Sequence, residues 1–219
     1  MGQEVDLLIH YPKAKRNVEE RGREKCAEDR RIARQFGKEF FDGKRSQGYG
    51  GFHYMEKFWT PVVPTFERYY NLTSSSSLLD VGAAKGFMLY DFYRLIPGIT
   101  VAGCDISSYA IEHAHQEVKP FLKQANATSL PYPSRSFDLV VSINTIHNLE
   151  KKELALSLKE IERVSKKDCF ITVDAYRNEE EKEQMEAWNL TAKTIMHVDE
   201  WVAFFQEVGY RGDYYWFIP

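Results

Sequence analysis

The sequence predicts an α/β fold, a mostly parallel sheet of six to seven strands flanked by helices and preceded by an N-terminal helical cap. Three observations predict it. Short apolar runs alternate with helical patterns from Ser77 onward. The first run ends in a turn stripped of large side chains, "LLDVGAAKG". An acid, Asp105, closes the next strand about 20 residues later, the offset at which an acid reaches a bound ribose.

The elements follow from periodicity in chain order. "SLLDV" is a strand, 87–95 a helix, "TVAGCDI" a strand, 109–122 a helix, and "KQANA" holds a short strand. "FDLVVSIN" is a strand, 151–164 a helix and "CFITVDA" a strand. "EEEKEQMEA" reads as a solvated helical face, "VDEWVAFFQEVGY" as an amphipathic helix and "GDYYWFIP" as a terminal strand. Either "TAKTIM" supplies one more strand or the sheet is a strand short. Upstream, residues 17–41 carry Ile32, Phe36 and Phe40 at helical spacing and read as one amphipathic helix. A glycine-rich loop over 42–51 and an aromatic stretch broken by Pro61 and Pro64 complete the segment, and "TSSSS" is a connector. The chain thus divides into a cap over 1–76 and a core over 77–219.

Composition narrows the class. With 219 residues, 43% hydrophobic and 14% aromatic, the chain can bury one substantial core. A net charge of −3 disfavours a protein built on phosphate-backbone contacts, so nucleic acid is an unlikely partner. Cys26, Cys104 and Cys169 lie far apart without zinc-ligand spacing, which argues for a reducing, cytoplasmic setting and no structural metal. No apolar run approaches the roughly 20 residues that span a bilayer, and Gly2 lacks the flanking pattern of a myristoylation signal. Oligomeric state is not legible.

The bare turn has a physical reading. At the carboxyl end of the first strand of a parallel sheet, Gly82, Ala83 and Ala84 let a ligand approach the backbone, while Gly86 lets the following helix start close to the sheet. The arrangement is Rossmann-like. Asp105 has a plainer role open to it as a helix cap, which Ser107 can also fill.

At this point the chain resembles the class I S-adenosylmethionine-dependent methyltransferases, over about two thirds of its length. "LLDVGAAKG", "VAGCDIS", "NATSLPYPSRSFDLVVSINTIHNL" and "CFITVDA" occur in that family's order. The resemblance implies S-adenosylmethionine as cofactor, with Asp80, Gly82, Ala83 and Gly86 lining its methionine end, Asp105 on the ribose and Ile106 on the adenine. Asn126 and Ala127 stand where the family carries an Asp-Ala pair that reads the adenine edge. Ala84 replaces a usual glycine, tolerable if its φ is negative. Lys85 either reaches the cofactor carboxylate or points to solvent.

Such a reaction needs a nucleophile held in line with an electrophilic methyl, and a base is useful when the nucleophile must lose a proton. His147, just beyond the fourth strand, and His53, in the cap, are the candidate bases. Asn144 on the same loop is a polar contact to cofactor or acceptor. Asp174, Tyr176, Arg177 and Asn178 leave the fifth strand at the same edge and are acceptor-site candidates; a metal site is not expected there. Tyr49 and Tyr54, beside flexible glycines, are expected to close over the cofactor and shield its charged end. The expected function is methyl transfer to an oxygen or nitrogen of a small polar acceptor. Two other readings stay open: a protein or RNA methyltransferase, and a noncatalytic cofactor-binding partner of another protein.

Overall fold

The computed structural model describes residues 2–13, 18, 22, 25–50 and 53–219. Helices α1 (Ala27–Ala33), α2 (Lys38–Asp42), α3 (Glu56–Trp59) and α4 (Val63–Tyr70) precede the sheet. There follow β1 (Ser77–Val81), α5 (Phe87–Leu95), β2 (Thr100–Asp105), α6 (Ser108–Glu112), β3 (Leu122–Gln124), β4 (Phe137–Ile143) and α7 (Lys151–Val164). Then come β5 (Ser165–Tyr176), α8 (Glu179–Trp188), β6 (Met196–His197), α9 (Val198–Val208) and β7 (Asp213–Phe217).

The strands run in the order β3-β2-β1-β4-β5, and every pairing is parallel. On the far side of β5, β7 pairs with Phe170 to Asp174 and β6 with Ala175 and Tyr176. "TAKTIM" therefore supplies only a two-residue strand. The order reverses between β1 and β4, which places the ligand crevice of an open parallel sheet at their carboxyl ends.

Both faces of the sheet are covered, and its central strands are apolar throughout for that reason. On one face Leu79, Val81, Val140, Ile171 and Val173 meet Leu154, Leu158 and Ile161 of α7 and Trp201 and Phe205 of α9. On the other, Leu78, Leu139, Val141 and Phe170 meet Phe66 of α4 and Leu89 and Phe92 of α5. Each of these fully buried side chains contributes about 1.5–3 kcal/mol relative to exposure. The outer edge of β7 is covered by the N-terminus: Val5 N–H bonds Tyr214 O at 3.0 Å and Tyr214 N–H bonds Gln3 O at 3.1 Å.

Two expected helices are shorter than their periodicity. The amphipathic pattern over 17–41 is broken at Phe36, whose φ is +49°, and Gly37 caps a new helix in extended conformation. Residues 17, 19–21 and 23–24 of that pattern lie outside the described residues. The helix expected over 109–122 ends at Glu112, because His115 N–H leaves the ladder for Lys85 O at 2.9 Å. Pro120, which has no N–H to give, then sits in a 3₁₀ turn that feeds β3.

Candidate functional site

The turn after β1 is bare for two reasons. Gly82 has φ +87°, and a Cβ there would lie 2.2 Å from the Thr145 side chain. Its bareness seats the loop after β4 on the turn, a second reason for glycine beside the close ligand approach expected of it. Gly86, at φ +73°, caps α5, and a Cβ would meet Val118 at 2.9 Å and Leu122 at 3.3 Å, so the helix does start hard against its neighbours. Ala83 is buried, and its N–H shares the Cys104 carbonyl with that of Gly82, at 2.9 and 2.7 Å. Ala84 has φ +49°, not the negative value expected of an alanine. What holds it there is the bond from its N–H to Asp105 Oδ2 at 2.8 Å.

That bond, with Ser107 N–H on Oδ1 at 2.8 Å, fixes the Asp105 carboxylate from its own backbone neighbours and leaves a lone pair on each oxygen for a diol. Ser107, not Asp105, caps α6, accepting from Ala110 N–H at 3.0 Å. Ile106 beside it is 50% exposed, an apolar platform at the edge of the crevice. Asp80 is buried, and desolvation together with the Asp105 charge pushes its pKa up to about 8. Among the described residues no lysine or arginine pairs with Asp80 or Asp105. A buried acid without a cation of the described chain, a half-buried, diol-ready carboxylate and an exposed isoleucine fit a ligand with a cationic end, a ribose and a flat base. Asn126 is exposed next to half-buried Ala127; its Oδ1 accepts from Thr128 N–H at 3.0 Å and keeps a second lone pair, so the side chain offers adenine both an acceptor and the Nδ2 donors.

The β4–β5 edge is arranged differently. Asn144, at φ +50°, gives its N–H to Thr172 Oγ1 at 2.9 Å and accepts from that hydroxyl on Oδ1 at 2.8 Å. It ties the loop after β4 to β5, a structural role beside the polar contact expected of it. His147 is buried, and its Nδ1 accepts from Asp174 N–H at 3.0 Å, which places the ring proton on Nε2. Burial holds its pKa down near 3. The lone pair that a base needs is already used, so His147 positions the main chain of Asp174; this corrects its assignment as the base. Its 3.5 Å approach to Asp174 Oδ1 is no ion pair, because the imidazole is neutral. Asp174 is buried on the same sheet face as Leu78, Asp80 and Phe170, since alternate residues of a strand share a face. Val141 pairs with both Asp80 and Phe170, so Asp174 lies two strands across and four residues beyond Asp80, about 16 Å away by strand spacing and rise. Asn178 caps α8 through Glu181 N–H at 2.9 Å, and Arg177 N–H bonds Glu181 Oε2 at 2.7 Å. Both serve the helix start.

The cap closes the crevice from both rims. On the β1–β2 side Lys85, nearly fully buried, holds both oxygens of Asp42 at 2.6 and 2.8 Å, and Tyr109 O–H donates to the same carboxylate at 2.8 Å. Ser107 O–H donates to Phe36 O at 2.5 Å. On the β5 side Tyr49 O–H accepts from Leu190 N–H at 2.8 Å, and its ring stacks on Trp188 at 5.8 Å. Buried Lys25 donates to the last carbonyls of α8, Ala187 at 2.9 Å and Trp188, a cation at the negative end of a helix. Lys85 is therefore not directed to solvent, one of the two directions open to it in the sequence. Sequence gave no sign of Asp42, Phe36 or Lys25, whose partners lie 43, 71 and 162 residues away.

Two cap residues lie elsewhere than expected. Tyr54 donates to buried Asp91 Oδ1 on α5 at 2.6 Å and packs on Phe87, Tyr90 and His115. It fastens the cap to the outside of α5 and does not shield the crevice. His53 is exposed and lines a separate cavity of about 660 Å³ with Asp42, Lys85, Glu112 and His113. The residues that line this cavity include neither Asp174 nor Tyr49, and His53 sits with Lys85 and His113. Gly51 and Phe52 lie outside the described residues.

Comparison with known proteins agrees with this geometry. Residues 79–173 match the methyltransferase-domain family Methyltransf_11. No curated protein sequence matches the chain. Among solved structures, the fold is similar to the MccD protein, at 21% identity and TM-score 0.55 over 66% of this chain and 68% of that one. It is similar to the [4+2]-cyclase SpnF at 18% identity and TM-score 0.54, over 68% of this chain and 56% of that one. A methyltransferase dependent on S-adenosylmethionine from Aquifex aeolicus matches at 17% identity and TM-score 0.50, over 67% and 78% of the two chains. At these identities the neighbours speak for the fold. The family match, the β3-β2-β1-β4-β5 sheet and the backbone-fixed acid after β2 together identify the segment 79–173 as a class I methyltransferase domain.

Proposed function

We propose that the protein transfers the methyl group of S-adenosylmethionine to a small polar acceptor enclosed between the sheet edge and the cap. The observation that carries this reading is the pair of carboxylates, buried Asp80 and half-buried Asp105, at the carboxyl ends of adjacent strands with no cation of the described chain between them. When bound, the cofactor supplies an electrophilic methyl on a positively charged sulfur. The chain's own residues do the rest. Asp105 accepts from the ribose hydroxyls, Ile106 packs on the base, and Asp80 faces the cationic end. The turn at 82–86, locked to Cys104 and Asp105, holds these groups without reorganisation. Tyr49 and Trp188, tied to each other and to the chain after α8, exclude water from the acceptor side.

A small acceptor is favoured over a macromolecule because the cap is bound to both rims, by Asp42 and Phe36 on one side and Tyr49 and Lys25 on the other. The relation to the cyclase makes chemistry the thing to test. Calorimetry with S-adenosylhomocysteine checks cofactor binding, and methyl-labelled S-adenosylmethionine with a fractionated small-molecule extract, read by mass spectrometry, checks transfer. Saturable binding together with a labelled product is expected; binding without any labelled product supports a noncatalytic role instead.

A further inference from the structure

We propose that Asp174 receives the acceptor: its carboxylate takes the hydrogen bond, and then the proton, of an N–H or O–H group on a neutral or cationic small molecule, and anionic acceptors are refused. The inference deepens the methyl-transfer reading and rests on it.

Three observations carry it. First, Asp174 is 3% exposed, yet among the described residues no N–H or O–H bonds its carboxylate. Its main chain, by contrast, is pinned on both sides, by the bond of its N–H to His147 Nδ1 at 3.0 Å and by Trp201 Nε1–H on its carbonyl at 3.0 Å. A buried carboxylate without a donor is costly to keep unless a ligand supplies one, and here the backbone aims it in one direction. Second, it shares the cap-facing side of the sheet with Asp80, at a separation of about 16 Å that leaves room for a methionine chain and a small acceptor between them. Third, among the described residues the acids of the crevice carry no cation while its cations are already engaged. Asp80, Asp105 and Asp174 are acids without a lysine or arginine partner, whereas Lys85 is bound to Asp42, Lys25 to the carbonyls of α8 and Arg177 to Glu181. A carboxylate or phosphate on the acceptor meets repulsion from these acids.

Among the described residues the titratable groups that face Asp174 are His147 from the loop after β4 and Tyr49 from the cap, and burial holds both neutral near pH 7. Burial alone pushes Asp174 up to about 7, the range in which a carboxylate accepts a proton usefully at neutral pH. The step balances. The acceptor's proton passes to Asp174 Oδ, the freed lone pair forms the bond to the methyl carbon, and the carbon–sulfur bond breaks with its electron pair returning to sulfur. Asp174 then releases the proton to solvent when product leaves.

The experiment sorts a small-molecule extract by ion exchange into cationic, neutral and anionic fractions. Each is incubated with methyl-labelled S-adenosylmethionine and wild-type protein, Asp174→Asn or His147→Ala. Label is expected in the cationic or neutral fraction. Asp174→Asn should lower labelled product by about 10²–10⁴-fold while its calorimetric affinity for S-adenosylhomocysteine stays within about twofold of wild type. The fall in rate below pH 7 should vanish in Asp174→Asn and persist in His147→Ala. Label in the anionic fraction, or an Asp174→Asn variant that works at the wild-type rate, overturns the assignment. Label in no fraction, with S-adenosylhomocysteine bound normally, overturns methyl transfer and this inference with it; failure to bind it at all overturns the cofactor reading and, through it, both.

Discussion

The β1–β2 end of the crevice and its β4–β5 end do different work with different materials. At the first, the recognition group is a carboxylate fixed by backbone N–H groups from 21 residues upstream and 2 residues downstream. At the second, the carboxylate of Asp174 faces side chains drawn from the loop after β4, His147, and from a cap 125 residues away, Tyr49. The first end is a rigid cradle built from a strand-turn-helix unit. The second is an assembled chamber, complete only when the cap is down. A cofactor common to many enzymes suits the cradle, and a particular acceptor suits the chamber.

The sharpest way to break that contrast is to release the cap. Asp42→Ala leaves Lys85 buried without its carboxylate, and losing one partner of such a pair costs on the order of 3 kcal/mol, reduced by the 24% exposure of Asp42. Thermal unfolding should fall accordingly, and Asp42→Leu with Lys85→Met should recover most of it. Hydrogen exchange across 38–50 should quicken in the single variant while that of α7 holds. If both stay at wild-type rates, the chamber does not depend on the latch.

Next in size is Asp105→Ala. Removing a carboxylate that accepts from a ribose should weaken S-adenosylhomocysteine by about 1–3 kcal/mol in calorimetry. Asp105 also holds Ala84, so near-UV circular dichroism on the same samples separates a lost contact from a disturbed turn. Unchanged affinity in a folded variant removes the ribose role.

The paired acids give a pH test of the cradle. In the free protein Asp80 titrates near 8, above its unfolded value, so the folded state keeps a proton that the unfolded state sheds between pH 4 and 8. That contribution is present below pH 4 and is lost as pH rises through 8. A cationic ligand wants the ionised form, so affinity for S-adenosylmethionine should fall as pH drops below 8, by up to about 1.4 kcal/mol per unit. Asp80→Asn should flatten the curve and raise the melting temperature at pH 8. A pH-independent affinity between 6 and 9 in wild type would contradict the unpaired carboxylates.

What was legible in the sequence follows the same division. The sheet, the turn, Asp105 and Gly86 were readable because each is determined within one strand-turn-helix unit, where apolar runs and small residues sit next to the element they shape. α5 and α7 fall where their periodicity put them, since each packs one face on a finished sheet. Tyr54 and His53 were misplaced because a residue's direction in a cap depends on what the cap lands on: Asp91 took the Tyr54 hydroxyl, and no local pattern announces that. His147 was misread for a similar reason. Its position after β4 is visible in the sequence, whereas the Asp174 N–H that occupies its lone pair comes from another strand.

The smallest expected effect lies inside the cradle, at Ala84. A left-handed alanine costs about 1–2 kcal/mol relative to its ordinary conformation, and glycine removes that cost. Glycine also gives the unfolded chain more freedom, which takes back about 0.4–1 kcal/mol. The two terms leave a net stabilisation of about 0.5–1 kcal/mol for Ala84→Gly, or a rise of roughly 2–3 °C in melting temperature for a chain of this size. Because the N–H to Asp105 stays in place, S-adenosylhomocysteine should bind with unchanged affinity. A lower melting temperature would mean that the methyl of Ala84 packs usefully where it is. A gain in stability with a loss of affinity would mean that the alanine holds the turn in the ligand-ready form, and that the cradle's rigidity comes from that residue as well as from its hydrogen bonds.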